Sequence, residues 1–360
     1  MLKAELRKTW SRPLVMIAFF LVCLAQVVYV SVHYNSGTRA LCEAYNAFGG
    51  RMDDAWRASI HTQYDALWEA PPQSPDDLWE ATAAQRAILT AYDYTFFTQM
   101  LDSYAAALAE VYGNAAVDAY AELRTASENG ELIFGSSPAG ESMADQYMVT
   151  WGFLIFMMIL CVDQFSGEKD MGMVPMQSVT KQGRQKLFQT KLLVCQLSAL
   201  LVWSAANLVY ALTLTFLYGW GNLQSVIQDF NFNACPYHWN IGEYLAVTLL
   251  LGLLASQLTA LVIFLLARLG GSTQRAFALM GGVLILPYLI AFMTDKVWLA
   301  LWLPCLINNG WLWRNLLLLK LGGSFIPLWT IPAIEMILAA GIVITALWHY
   351  AKKAETVSDP

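Results

Sequence analysis

Charge is scarce in this chain: Asp, Glu, Lys and Arg make up 13% of its 360 residues, against about 25% in an ordinary soluble domain. Residues that carry chemistry are thinly spread as well. The four histidines, His33, His61, His238 and His349, include no pair at metal-ligand spacing. No HExxH, CxxC or GxSxG pattern occurs, which removes the usual zinc-hydrolase, thiol-redox and serine-hydrolase readings. The stretch GSSPAGES at 135–142 has the glycine and serine spacing of a phosphate-binding loop, but Glu141 stands where the lysine belongs. An acid there repels phosphate, so the stretch reads as a flexible turn and the chain as one without a catalytic residue, a metal or an ATP site of its own. No nucleic-acid partner is expected.

Apolar residues, at 57%, fill the space that charge leaves. A membrane helix needs about 20 predominantly apolar residues, and six runs approach or meet that length: 13–32, 147–162, 192–218, 244–267, 276–294 and 331–348. The first follows the basic, amphipathic segment 1–12 but lacks a small-residue cleavage site, so it reads as a retained span rather than a signal peptide. The fold class expected is an all-α membrane protein with six spans.

Basic residues orient the spans. With the N-terminus inside, the inner segments 1–12, 163–191, 268–275 and 349–360 hold 13 of the 21 Lys and Arg. The short outer loops, 219–243 and 295–330, keep only Lys296, Arg314 and Lys320. Both termini are therefore expected in the cytoplasm.

The long segment 33–146 then lies outside. It carries 17 acidic residues, five arginines and no lysine, a net charge of −12. Aromatics are plentiful and helical signals recur, which predicts a folded helical domain rather than an acidic linker. Ser74-Pro75 offers an N-cap and first-turn pair for a helix running to Gly113-Asn114, with further helices over 51–69 and 115–126.

The loop 295–330 holds two apolar stretches of about 10 and 11 residues, split by Asn308-Asn309-Gly310 and too short to cross a bilayer. That suits a re-entrant outer hairpin, with Trp298, Trp302, Trp311, Trp313 and Trp329 in the headgroup belt. Glu335 is the one ionisable residue inside a span, near its outer end, and is a candidate for the substrate path as well as an ordinary interfacial acid. Cys23, Cys161 and Cys195 fall in or beside spans, whereas Cys235 and Cys305 lie in the two outer loops and are compatible with a disulfide.

The remaining anomaly is the inner connection 163–191, which contains FSGEKDMGMVPMQSVTKQGRQKLFQTK. Five Lys or Arg crowd into it. Topology and contact with anionic lipid account for the charges, but not for the ordered spacing of Glu168, Gly172, Ser178, Gly183, Arg184 and Lys191. That order resembles the inner connection of the membrane subunit of bacterial ABC-2 type exporters. The six runs, the basic segment before the first, the large outer insertion and the outer hairpin before the last are similar too. The match departs from the family where Pro175 stands early and the usual Thr-Pro or Ser-Pro before the arginine is missing.

The resemblance implies a permease of the bacterial plasma membrane that pairs with a second permease, most simply another copy of itself. It implies a separate ATP-binding subunit that supplies the ATP and magnesium chemistry. The connection would be its coupling loop, and the cargo an amphiphile such as an antimicrobial peptide, a drug or a lipid-like molecule. A receptor or scaffold with a ligand-binding outer domain is the alternative from another class.

Overall fold

The computed structural model describes residues 1–68, 82–143, 147–164, 181–229, 234–294, 301–313, 316–321 and 324–356. Four of its helical stretches are long and apolar enough to cross a membrane: Pro13–Val32, Lys186–Tyr218, Ile241–Gly270 and Thr273–Ala291. Two shorter apolar stretches, Tyr147–Val162 and Thr330–Ile342, accompany them.

The chain opens with α1 (Leu2–Trp10) and turns at Arg12 into α2 (Pro13–Val32). Pro13 suits the first helical position because its missing N–H would have no partner there. One stripe of α2, Val15, Ala18, Val22, Gln26 and Val30, is buried, at the three- and four-residue spacing of one helix face. Other faces expose Leu14, Ile17, Phe20, Leu21 and Leu24. The stripe packs on α9 (Tyr147–Val162), and a Cβ on Gly152 would sit 2.8 Å from Val22 Cγ1, so only glycine permits this approach. Gln26 Nε2 donates to the Met148 carbonyl at 3.2 Å across the same contact.

Between α2 and α9 lies a second body with its own core. It comprises α3 (Ser36–Ala47), β1 (Gly50–Arg51), α4 (Asp54–Trp68), α5 (Ala83–Thr95), α6 (Phe97–Tyr112), α7 (Asn114–Glu128) and β2 (Ile133–Phe134), and the short α8 (Pro138–Ser142) that follows buries Ala139 in the core of the long helices. Strands β1 and β2 pair antiparallel, Gly50 opposite Phe134 and Arg51 opposite Ile133. Phe134 is fully buried and gathers Tyr45, Trp56 and Tyr94, ring centroids 5.3 to 6.0 Å away. Large, partly rigid aromatics of this kind stabilise a small core by area and by geometry.

The segment is helical, as expected, with different helix bounds. Ser74-Pro75 lies outside the described residues, and the described start is Thr82, whose capping box with Gln85 opens α5. The helix expected to run on to Gly113 breaks at Phe96 into α5 and α6, which fold back on different neighbours. GSSPAGES is not a flexible turn. Ser136 and Ser137 are wholly buried; Ser136 N–H donates to Asn46 Oδ1 at 3.0 Å, and the Ser136 carbonyl accepts from Asn222 N–H at 2.9 Å. The Asn46 side chain and the Ser137 hydroxyl, which donates to the Trp220 carbonyl, satisfy backbone groups at this junction, which the glycine-rich spacing alone does not reveal.

After the connection, α10 runs unbroken from Lys181 to Tyr218. The apolar run begins only at 192, yet Lys, Arg, Gln and Leu are all good helix formers and Gly183 alone costs about 1 kcal/mol. Helix α11 (Ile241–Gly270) begins with a capping box between Asn240 and Glu243 and stops at Gly271, whose φ of 69° suits glycine. Its buried face is rich in small residues, Gly252, Ala255, Ser256, Thr259 and Ala260, which let neighbouring backbone come close. Helix α12 (Thr273–Met280) continues through a π-helical turn at Gly281–Ile285 into α13 (Leu286–Met293). Pro287 supplies the cause: it lacks an N–H and its ring crowds the carbonyl four residues back, so the ladder widens by one residue.

The loop expected as a re-entrant hairpin forms two 3-10 turns, Leu303–Ile307 and Gly310–Trp313, and a β-hairpin of β3 (Leu318–Leu321) with β4 (Ser324–Pro327). The turns are buried against α11. Asn309 Nδ2 donates to the Thr248 carbonyl at 2.9 Å, and a Cβ on Gly252 would lie 2.8 Å from the Ile307 carbonyl oxygen. Trp313 is buried too, its ring centroid 5.2 Å from Trp239 and 6.3 Å from Trp329. It belongs to a packed aromatic core rather than to an open belt, and Trp298 lies outside the described residues. Helix α14 (Thr330–Thr356) closes the described chain.

Candidate functional site

The anomalous connection leaves α9 and enters α10 at one end of the bundle, beside α1. Glu168, Gly172 and Ser178 lie outside the described residues. Gly183 and Arg184 fall in the first turn of α10, where the backbone is described. Lys191, nearly three turns into α10, is only 5% exposed.

A buried ammonium is costly unless it is hydrogen-bonded. Lys191 Nζ donates to the Gln164 backbone carbonyl at 2.6 Å. Gln164 is the last described residue before the connection, in a π-type turn that ends α9. A carbonyl at a helix terminus has no intrahelical donor, and a cation is favoured at that negative end of the dipole. The predicted lysine thus joins the entry of the connection to its exit.

Further bonds brace the same place from α1 and from the turn into α2. Arg12 pairs with the Asp163 carboxylate and also donates to the Asp163 carbonyl at 3.4 Å. Gln164 Nε2 donates to Thr9 Oγ1 at 3.4 Å, and Thr9 is itself buried. Trp10 Nε1 donates to Ser198 Oγ at 3.1 Å, two turns above Lys191 on α10. The Trp10 ring meets Phe19 edge-on at 5.3 Å and lies 5.8 Å from Phe156. Helix α1, α2, α9 and α10 are thereby fastened together within one layer.

On the other side of α10, Phe188 packs against Phe264 of α11 with centroids 5.5 Å apart. The Arg268 guanidinium carbon lies 4.5 Å from the centre of the Phe188 ring, within cation–π range. The foot of α10 is therefore held by α1 and α9 on one side and by α11 on the other. One turn deeper, the Cys161 and Cys195 sulfurs approach to 3.4 Å between α9 and α10. By sequence these cysteines read as separate apolar fillers; the available signal is that Cys161 lies about one turn before Gln164 and Cys195 about one turn after Lys191.

The other predicted residues lie elsewhere. Cys235 is fully buried and Cys305 nearly so, and no disulfide joins them. Each sits in its own tight turn: the Cys235 carbonyl accepts from Gln228 Nε2 at 3.1 Å, while Cys305 N–H closes a 3-10 turn on Trp302. Burial pushes the Cys235 thiol up to about 12. Glu335 is half-buried on the second turn of α14, away from the layer built by Lys191. Among the described residues no three His, Cys, Asp or Glu side chains gather into a group able to hold a metal.

No protein-family model, curated protein or solved structure matches the chain.

Proposed function

We propose that this chain is a six-span permease of the ABC-2 exporter type, and that the layer around Lys191 and Gln164 carries force from a separate ATP-hydrolysing subunit into the membrane helices. The observation that carries the proposal is the direct bond between the two ends of the basic connection. A connection whose ends were independent would flex under a partner's push. With Lys191 holding the Gln164 carbonyl and Arg12 holding Asp163, a push reaches α1, α9 and α10 together.

In this reading α9 and α14 complete the four longer helices to six spans. The acidic body of 33–146 faces outside, and both termini face the cytoplasm of a bacterial cell. Glu168, Gly172, Ser178, Gly183 and Arg184 meet a groove on the ATPase subunit. Two permeases and two ATPase subunits assemble, and nucleotide-driven rocking moves an amphiphilic cargo outward along the permease interface. Turn-like packing at 303–313 in the outer half of the bundle supports a re-entrant segment, because non-helical backbone at that depth must be buried in protein.

The test is whether an ATP-binding subunit is encoded beside this chain and co-purifies with it. Glu168→Ala with Arg184→Ala should abolish association and stimulation of ATP hydrolysis while the permease remains folded. Undiminished association of the double variant would remove the assignment and leave the receptor or scaffold reading in its place.

A further inference from the structure

A cavity of about 390 Å³ opens at the seam where the acidic body meets the start of α11. Its volume falls at the lower end of the roughly 300–1,000 Å³ typical of small-ligand sites. The floor is the edge of β2, where the Ile133 carbonyl accepts from Val226 N–H at 3.0 Å. Trp239 forms one wall and is held in place by stacking on Tyr237, centroids 4.8 Å apart and planes at 17°. Two carboxylates, Glu131 and Glu243, line the cavity from different elements.

Both acids are held but not neutralised. Glu131 accepts from Asn129 Nδ2 at 3.3 Å, and Glu243 accepts from Asn240 N–H at 3.0 Å. Among the described residues no lysine or arginine pairs with either of them. His238, also in the lining, lies 3.9 Å from Glu122, a third acid beside the rim. The whole 33–146 segment adds a net charge of −12, so the long-range field and the local lining have the same sign. An indole and two carboxylates lining one cavity supply the groups that receive an ammonium or guanidinium.

We infer that this seam cavity binds a cationic side chain of an amphiphilic peptide, the ammonium or guanidinium set between Glu131 and Glu243 with its stem on Trp239. The inference deepens the transport reading by naming a substrate class and rests on it for its purpose, but the binding event requires no ATPase subunit. A ligand bridging Glu131 of the acidic body and Glu243 at the head of α11 also ties that body to a membrane helix, through a contact that exists only when the cavity is filled.

The experiment uses the full chain in nanodiscs of zwitterionic lipid, without nucleotide, and follows fluorescence anisotropy of a labelled tetra-arginine amide. Saturable binding is expected, weakened at least tenfold by Glu131→Gln with Glu243→Gln. Glutamine at 243 preserves the capping box, so α11 keeps its start. Glu110→Gln with Asp118→Asn, two exposed acids elsewhere on the same body, should change affinity less than twofold. Gln224→Lys, which puts a cation on the exposed rim without touching either acid, should also cost about tenfold. Equal losses for the two acid pairs would show a diffuse field and overturn the site, as would a lack of saturable binding. If tetra-arginine binds as expected while ATPase association fails, the site stands and the transport reading falls.

Discussion

Lys191 Nζ lies 2.6 Å from the Gln164 carbonyl oxygen, and 27 residues of chain separate the two. One buried cation therefore closes the whole basic connection into a loop with a fixed base. Replacing Lys191 by Met keeps the stem's packing but leaves the carbonyl without its charged donor. The loss of a hydrogen bond to a charged group is worth about 1.5–3 kcal/mol, and thermal unfolding of Lys191→Met in detergent should fall accordingly. Unchanged melting would mean that the carbonyl finds an equal donor.

Two tyrosines tether the acidic body to the 219–243 segment. Tyr94 Oη donates to the Gln228 carbonyl at 2.6 Å, and Tyr120 Oη to the Ala234 carbonyl at 2.5 Å. Phenylalanine at either place keeps the ring and strands a carbonyl, at a cost of about 1–3 kcal/mol. Protease nicking within 33–146 should become faster in Tyr94→Phe and faster again in the double variant. Equal nicking rates would separate the two bonds from domain docking.

Gly221 has φ of 63°, and a Cβ there would lie 2.2 Å from the Ser136 carbonyl oxygen. Gly221→Ala must carry both a left-handed backbone, about 1–3 kcal/mol for a residue with a side chain, and a clash with rigid backbone. Yield of folded protein should drop sharply, while Gly113→Ala, whose Cβ meets nothing within 4 Å, should lose only the backbone share. Size-exclusion profiles of the two variants distinguish these outcomes.

Burial raises the Cys235 thiol from 9.0 to about 12, and burial likewise raises Tyr237 from 10.0 to about 12. Both groups hold their protons in the fold at pH values where the unfolded chain gives them up. Their contribution is fully present below about pH 9 and is lost as pH climbs toward 12, because the folded state then binds more protons than the unfolded one. Melting temperature should decline across that window, and Cys235→Ser should flatten the decline. Cys235 should also resist maleimide at pH 7 until the chain is unfolded, with or without reductant.

Much of the long apolar helical part is legible from composition alone. Pro13–Val32 and Tyr147–Val162 coincide with the apolar runs 13–32 and 147–162, since a charge-free run bounded by Arg12 and Asp163 leaves little choice. The foot of α10 is less legible. Hydropathy stops at Lys191, whereas helix propensity carries on back to Lys181, and only tertiary bonds show that a lysine can lie buried there. Lys191 stands out in the sequence by its place in an ordered motif. Its partner Gln164 does not, because the partner is a backbone carbonyl, which any residue type would supply. In the acidic body the helices announce themselves, but the break at Phe96 and the burial of Ser136 depend on neighbours distant in sequence. Thr9 and Trp10 were likewise invisible as braces: short amphipathic segments display charge, not the contacts of their last turn.

ATP hydrolysis by the ATPase subunit proposed to copurify with this chain, measured with the wild type and with Lys191→Met in the same lipid, tests the central claim most directly. The account predicts a several-fold fall in permease-stimulated hydrolysis with the complex still assembled, because the connection still docks but its base no longer holds α9 and α10 together. Hydrolysis at the wild-type rate in an intact Lys191→Met complex would contradict it.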